Sequence, residues 1–196
     1  MSYTEEFLSA LVRTSRFKLE LPDVVDKVSG RLLNDKRMRH LNRVLAPVFE
    51  DIAGYEQMVG QCMSLHLKAR PVLEEWLGCP VYYTIGWIDD GTPKGMYKFD
   101  DAMIAEKLAN GHHDKTINIH AWLTLPTMEI IDLTLSTTLA ILQGRNDGLG
   151  GVISKKADEL TGFAYKPMLV GEMFLSQIGV LRNVTWFEVN DGLEYS

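Results

Sequence analysis

Three side-chain types in this chain could together carry nucleophilic chemistry: a thiol, an imidazole and a carboxylate. The run "IHAWLTLPTMEIIDLT" (residues 119–134) reads as two short strands joined by a tight turn, with His120 in the first and Asp132 in the second. A histidine and an aspartate in otherwise apolar strands are either a hydrogen-bonded core pair or a base held by its orienting carboxylate. The two are 132 − 120 = 12 residues apart, so a loop with an odd number of residues puts them on one sheet face. A three-residue loop centred on Pro126 would set them directly opposite, with Cβ atoms about 5 Å apart. A three-residue loop shifted by one would make them diagonal neighbours, roughly 7 Å apart. An even loop would place them on opposite faces.

Such a base needs a nucleophile. Of the two cysteines, Cys62 stands where the loop-like "GYEQMVGQ" gives way to the helical "CMSLHLKARPVLEEWLG". The unpaired N–H groups and dipole of a helix N-terminus favour negative charge, and the thiolate is the reactive form of cysteine. Gly60, just before it, lets the backbone approach a substrate closely. Cys79 follows the helix-ending Gly78 and precedes Pro80, and reads as a small buried hydrophobe. His66, four residues after Cys62, is a rival base or half of a metal site, with His112 and His113 as further ligands. No Cys-x-x-Cys or His-Glu-x-x-His spacing supports zinc, and no metal or other cofactor is expected. Asp89-Asp90 and Asp100-Asp101 fit turn and cap contexts without calcium. The glycine-rich "GRNDGLGG" lacks the Lys-Ser/Thr ending of a phosphate loop.

The elements that must position these groups are partly legible. "TEEFLSALVRTSRF" carries Phe7, Leu8, Leu11 and Val12 at helical spacing, and "LPDVVDKVSGRLL" repeats the pattern with Pro22 in a first turn. "NDKRMRHLNRVLAPVFEDIAG" predicts a third helix, kinked or split at Pro47. The Cys62 helix ends at Gly78 and carries an interior fault at Pro71. "PVYYTIGWI" is a strand, "DDGTPKG" a turn, and "FDDAMIAEKLANG" a short helix between an Asp100 cap and a Gly111 stop. "QGRNDGLGG" is a loop; "MLVGEMFLSQIGVL" fits a strand or a buried helix; "VTWFEV" predicts a last strand.

The 196 residues, 46% of them hydrophobic, suffice for one sizeable core. One domain is expected over 1–196, with a helical piece at 1–53 and an α+β core at 54–196. The formal net charge of −6 argues against a nucleic-acid partner. Lys36, Arg37, Arg39 and Arg43 read as a solvated helix face, since no aromatic residues interleave them. No long apolar run suggests a transmembrane helix or secretory signal, and two cysteines cannot build a disulfide framework. A cytoplasmic protein is the default, with a secreted effector lacking a standard signal left open. "NVT" at 183–185 is a glycosylation sequon only in a eukaryotic secretory route.

A cysteine at a helix start, then His120-Ala121-Trp122, then Asp132-Leu133-Thr134, resembles the transglutaminase-like branch of the papain-like cysteine protease superfamily. There the histidine commonly opens a His-x-Trp run and the aspartate an Asp-x-Thr run. The likeness covers roughly residues 54–135. Two departures stand out: Thr124 occupies a position that is often acidic in the family, and Met63-Ser64 follow the cysteine. The resemblance implies an α+β, papain-like fold, with the cysteine helix packed on an antiparallel sheet and extra N-terminal helices. It also implies acyl transfer: Cys62 attacks a carboxamide or peptide carbonyl, His120 moves the proton, and a thioester forms. The substrate would be a protein or peptide. Gln57 or Gln61 would join the Cys62 N–H in holding the oxyanion, and Trp122 would wall the site. A non-enzymatic binding protein that keeps the triad as packing is the alternative.

Overall fold

The structure, a computed structural model, describes residues 1–25 and 28–181. Helix α1 (Tyr3–Arg16) opens with a capping box, in which the Ser2 hydroxyl accepts the Glu5 N–H and the Glu5 carboxylate accepts the Ser2 N–H. Its buried stripe is Tyr3, Phe7, Ala10 and Thr14; Leu8 and Val12 face solvent instead of the core.

The second expected helix is not formed by the described residues between 18 and 34. Val24, Val25 and Val28 are exposed, so a helical stripe there would have no core to meet. The backbone finds partners elsewhere. The Val25 N–H donates to the Tyr82 hydroxyl at 3.0 Å, and the Leu32 and Leu33 N–H groups donate to the buried Glu129 carboxylate at 2.6 and 3.1 Å. This strap leads into α2 (Asp35–Leu45), capped by the Asn34 side chain. Pro47 falls in a 3-10 turn, Ala46–Phe49, and so splits the expected long helix.

After a second 3-10 turn, Tyr55–Met58, comes α3 (Cys62–Leu77). It runs unbroken through Pro71 and ends at Gly78, whose φ of 69° only glycine adopts without strain. The remaining elements are β1 (Tyr82–Asp89), α4 (Asp101–Asn110), β2 (His120–Thr124), β3 (Glu129–Asp132), α5 (Leu135–Leu142), β4 (Ile153–Lys156), β5 (Ala164–Val170) and α6 (Met173–Gln177). Asp100 caps α4 and Gly111 ends it. The ambiguous "MLVGEMFLSQIGVL" holds both structures: β5 ends at Val170, the chain turns at Gly171, and α6 follows. The expected strand "VTWFEV" lies outside the described residues.

The five strands form one sheet, ordered β4-β3-β2-β1-β5, with every neighbouring pair antiparallel. One face sends Tyr83, Ile85, Ala121 and Leu123 into a core with Leu65, Ala69 and Leu73 of α3 and Leu41 and Leu45 of α2. The other sends Tyr82, Trp122, Ile130 and Tyr165 against Tyr3, Phe7 and Ala10 of α1. The chain is therefore a mixed α+β fold whose sheet is covered on both faces. Residues of the first 53 contribute to both covers. Among the described residues, no helix is long and apolar enough to cross a membrane.

Candidate active site

The β2–β3 register sets Leu123 opposite Ile131 and Thr124 opposite Ile130. The Leu125 N–H donates to the Glu129 carbonyl at 2.9 Å and closes a three-residue loop, Pro126-Thr127-Met128. Met128, with φ 61°, supplies the left-handed last position that such loops use. The loop is thus shifted by one from a Pro126-centred turn. His120 and Asp132 become diagonal neighbours on one face.

Their side chains meet. His120 Nε2 lies 2.6 Å from Asp132 Oδ2. The same oxygen accepts the Tyr165 hydroxyl at 2.8 Å. Asp132 Oδ1 accepts the Thr134 N–H at 2.9 Å, the Leu135 N–H at 3.0 Å and the Thr134 hydroxyl at 3.3 Å. Burial alone would drive the carboxyl up; the adjoining His120 and these donors outweigh it and hold Asp132 well below the usual carboxylate range. For His120, burial opposes the charged ring, but the Asp132 carboxylate and then the Cys62 thiol prevail, and the imidazole is held above its ordinary value.

Cys62 is the first residue of α3, and its sulfur lies 4.0 Å from the carbonyl oxygen of Ile119, the residue before His120. The thiol therefore sits beside the imidazole as a loose neighbour, near enough to act on its basicity. With Nε2 committed to Asp132, Nδ1 is the ring nitrogen left to face the thiol. The structure brings all three triad candidates together, from the start of α3, the start of β2 and the end of β3.

His66 belongs to the same cluster in a different capacity. Its Nδ1 donates to the Cys62 carbonyl at 2.5 Å, and its Nε2 accepts the Leu133 N–H at 2.9 Å. Both nitrogens are used by backbone, and burial pushes the ring down to about 4, so it is neutral at ordinary pH. It braces the site and has no nitrogen free to serve as the rival base or as a metal ligand. Among the described residues, no group of three or more His, Cys, Asp or Glu side chains is arranged to hold a metal ion.

The site is closed in this conformation. Cys62 is 8% exposed and His120 2%. Tyr97, half-buried in the loop between β1 and α4, stacks on the His120 ring with centroids 5.3 Å apart. Its φ of 61° is a strained value for a residue with a large side chain. Below His120 lies Trp122, fully buried, whose Nε1–H donates to the Tyr3 hydroxyl at 2.8 Å. Trp122 is therefore a wall under the triad, and its burial removes it as a direct substrate contact. The sheet leaves room for it because position 86 is glycine: a Cβ there would come within 2.6 Å of Trp122 Cη2 and 2.1 Å of the Lys166 carbonyl oxygen.

The two glutamines expected near the oxyanion have local partners. Gln57 Oε1 accepts the Ala53 N–H at 3.0 Å, and Gln61 Oε1 accepts the Ser64 hydroxyl at 2.6 Å. Both are exposed, and neither hydrogen-bonds a triad member among the described contacts. Cys79 is half-buried, not fully buried, and burial pushes its thiol up. His113 Nε2 is bonded to the Asn110 carbonyl at 2.7 Å, well away from Cys62 in the chain.

Tyr97 and Tyr165 escape sequence reasoning. Tyr97 sits in a loop without periodicity. Tyr165 lies two strands beyond Asp132, so no spacing links them. No family model matches this chain, and neither a curated protein nor a solved structure matches it.

Proposed function

We propose that this chain catalyses cysteine-dependent acyl transfer or hydrolysis at a carboxamide or peptide carbonyl, on a papain-like, transglutaminase-like α+β framework. The observation that carries the reading is the 2.6 Å His120–Asp132 hydrogen bond set beside a cysteine at a helix N-terminus. Nucleophile, base and orienter then stand in the order this chemistry needs. Cys62 attacks the carbonyl carbon once its thiol proton has passed to His120, which Asp132 holds as the charged ring. The tetrahedral oxyanion collapses, the C–N bond breaks, and His120 returns the proton to the departing amine. Water or a second amine resolves the thioester. The Cys62 N–H, a first-turn donor of α3 with no partner among the described residues, is suited to the oxyanion. Tyr97 must leave the His120 ring before an acyl donor can enter, which favours a specific protein or peptide amide over general proteolysis. A cytoplasmic setting accords with this reading.

The experiment is incubation with unfolded casein and, separately, with a carboxamide donor plus a labelled primary amine. Ammonia release with a trapped Cys62 thioester is the expected result, and amine incorporation would assign the transglutaminase outcome. Rapid casein cleavage at many sites would remove the narrow-substrate claim. The burial of Cys62 and His120 favours a second reading, a binding protein whose triad is packing. An unreactive Cys62 with no turnover of either substrate would select it.

A further inference from the structure

Asp132 is on β3 and Tyr165 on β5, with β2 and β1 between them. On a flat sheet three strand spacings amount to about 14 Å, more than a tyrosine side chain spans. The hydroxyl nevertheless reaches Asp132 Oδ2 at 2.8 Å. The two side chains and the hydrogen bond close the gap together, and β1 is irregular at this place: it carries a bulge against β5 between Ile85 and Gly86, where the Lys166 backbone approaches too closely for a side chain. The Tyr165 ring packs on Trp122 with centroids 4.8 Å apart and lies 6.5 Å from the His120 ring. One phenol thus reaches an oxygen that already holds His120.

We propose that Tyr165 is a positioning residue of this site: by donating to the Asp132 oxygen that also accepts His120 Nε2, it fixes the carboxylate's rotation and limits how strongly Asp132 draws on the imidazole. Tyr165 is not itself an acid or base. Burial and the Asp132 charge hold its phenol far above its ordinary value, so its proton stays on oxygen and is given only as a hydrogen bond. The other titratable groups facing the pair are Cys62 and His66 from α3, Tyr97 from the loop after β1, and Tyr3 from α1 behind Trp122. Of these tyrosines, Tyr165 alone donates to Asp132 among the described contacts. With two donors on Oδ2, part of the carboxylate's accepting capacity is spent away from the histidine. The base is thereby kept able to release its proton to a leaving amine.

The purpose of this device rests on the acyl-transfer reading, but its test needs no turnover. The His120 ring titration is followed by NMR on histidine-labelled full-length protein. In Tyr165→Phe the carboxylate turns wholly to His120, and the midpoint should rise by about half a pH unit or more. With 3-fluorotyrosine placed at position 165 alone, a stronger donor of the same shape, the midpoint should fall. Opposite movements support the proposal, because a packing role alone would not respond to phenol acidity. An unmoved midpoint in the fluorotyrosine protein overturns it, and that protein decides the matter if Tyr165→Phe does not fold. Failure of the acyl-transfer reading would show separately, as absence of a trapped Cys62 thioester in the wild type.

Discussion

His66 joins Cys62 to Leu133: one ring nitrogen donates to the carbonyl of the candidate nucleophile, and the other accepts the amide next to Asp132. A neutral imidazole thus fixes the start of α3 against the end of β3. Protonation would remove the acceptor that the Leu133 amide uses and place a cation in a fully buried site, 3.6 Å from Asp132 Oδ1.

A pH dependence of stability follows. His66 titrates near 6.5 when unfolded and at about 4 when folded, so the folded state binds fewer protons between those values. Its contribution is therefore fully present above pH 6.5 and is lost as pH falls toward about 4. The size is on the order of 3 kcal/mol for a shift of this extent. Denaturant midpoints between pH 7 and pH 4 should fall in the wild type. In His66→Gln they should start lower and fall less steeply; equal slopes would show that another group governs the acid limb.

Asp132→Asn should lower the His120 titration midpoint and slow thioester formation by roughly a hundredfold or more. Because His120 is raised in the wild type, the pair's stabilising contribution stands at and below pH 6.5 and is lost as pH climbs through about 10. The variant should lack that alkaline loss. Thermal melts at pH 7 and pH 10, compared with single-turnover rates, check both halves.

The two cysteines should separate cleanly. Cys62→Ala should abolish thioester formation and keep the melting transition. Cys79→Ala should keep turnover and lose about 1 kcal/mol or less, since the residue is only half-buried. Mass spectrometry of the trapped intermediate distinguishes them, and full turnover in Cys62→Ala would reverse the assignment.

Gly86→Ala should be severe for a single methyl group. The new Cβ would meet the Lys166 backbone at 2.1 Å and the Trp122 ring at 2.6 Å, and backbone cannot swing aside as a flexible side chain can. A loss of about 2 to 3 kcal/mol is expected by chemical denaturation. An unchanged midpoint would mean that the sheet there is softer than its packing implies.

Tyr97→Ala should expose Cys62 to bulky maleimides at least tenfold faster than the wild type, while Tyr97→Phe, which keeps the stacked ring, should not. Stopped-flow labelling at neutral pH reads both. Equal rates across the three proteins would mean that the route to the thiol lies elsewhere.

The parts of the fold and site visible in the sequence are those set by local chemistry. The helix-ending Gly78, the Asp100 cap and the β-branched and aromatic run of β1 all announce themselves. The Cys62 helix start and the single-face pairing of His120 with Asp132 follow from a glycine-bounded helix and an odd loop. The failures are non-local. The strap between α1 and α2 has helical spacing, yet its valines find no core, and its amides go instead to Tyr82 and to Glu129, 57 and 97 residues away. α5, Leu135–Leu142, lies between the hairpin and the glycine-rich loop with no side-chain cap to announce its start, and the sequence leaves it unassigned. Tyr165 reaches Asp132 across two intervening strands of the sheet, a juxtaposition no spacing encodes.

The placement of α1 has a consequence for the order of events during folding. α1 precedes the triad residues in sequence, yet its berth is made by β5 and by the turn after β4: the Thr14 hydroxyl accepts the Val170 N–H, and the Tyr3 N–H donates to the Asp158 carboxylate. Until β5 joins the sheet, the aromatic floor beneath His120 is without a seated α1 to supply Tyr3, and Asp132 is without its phenol. α1 is held by contacts more than 150 residues apart, and such long-range closures carry the larger entropic cost, so this cover closes late in folding.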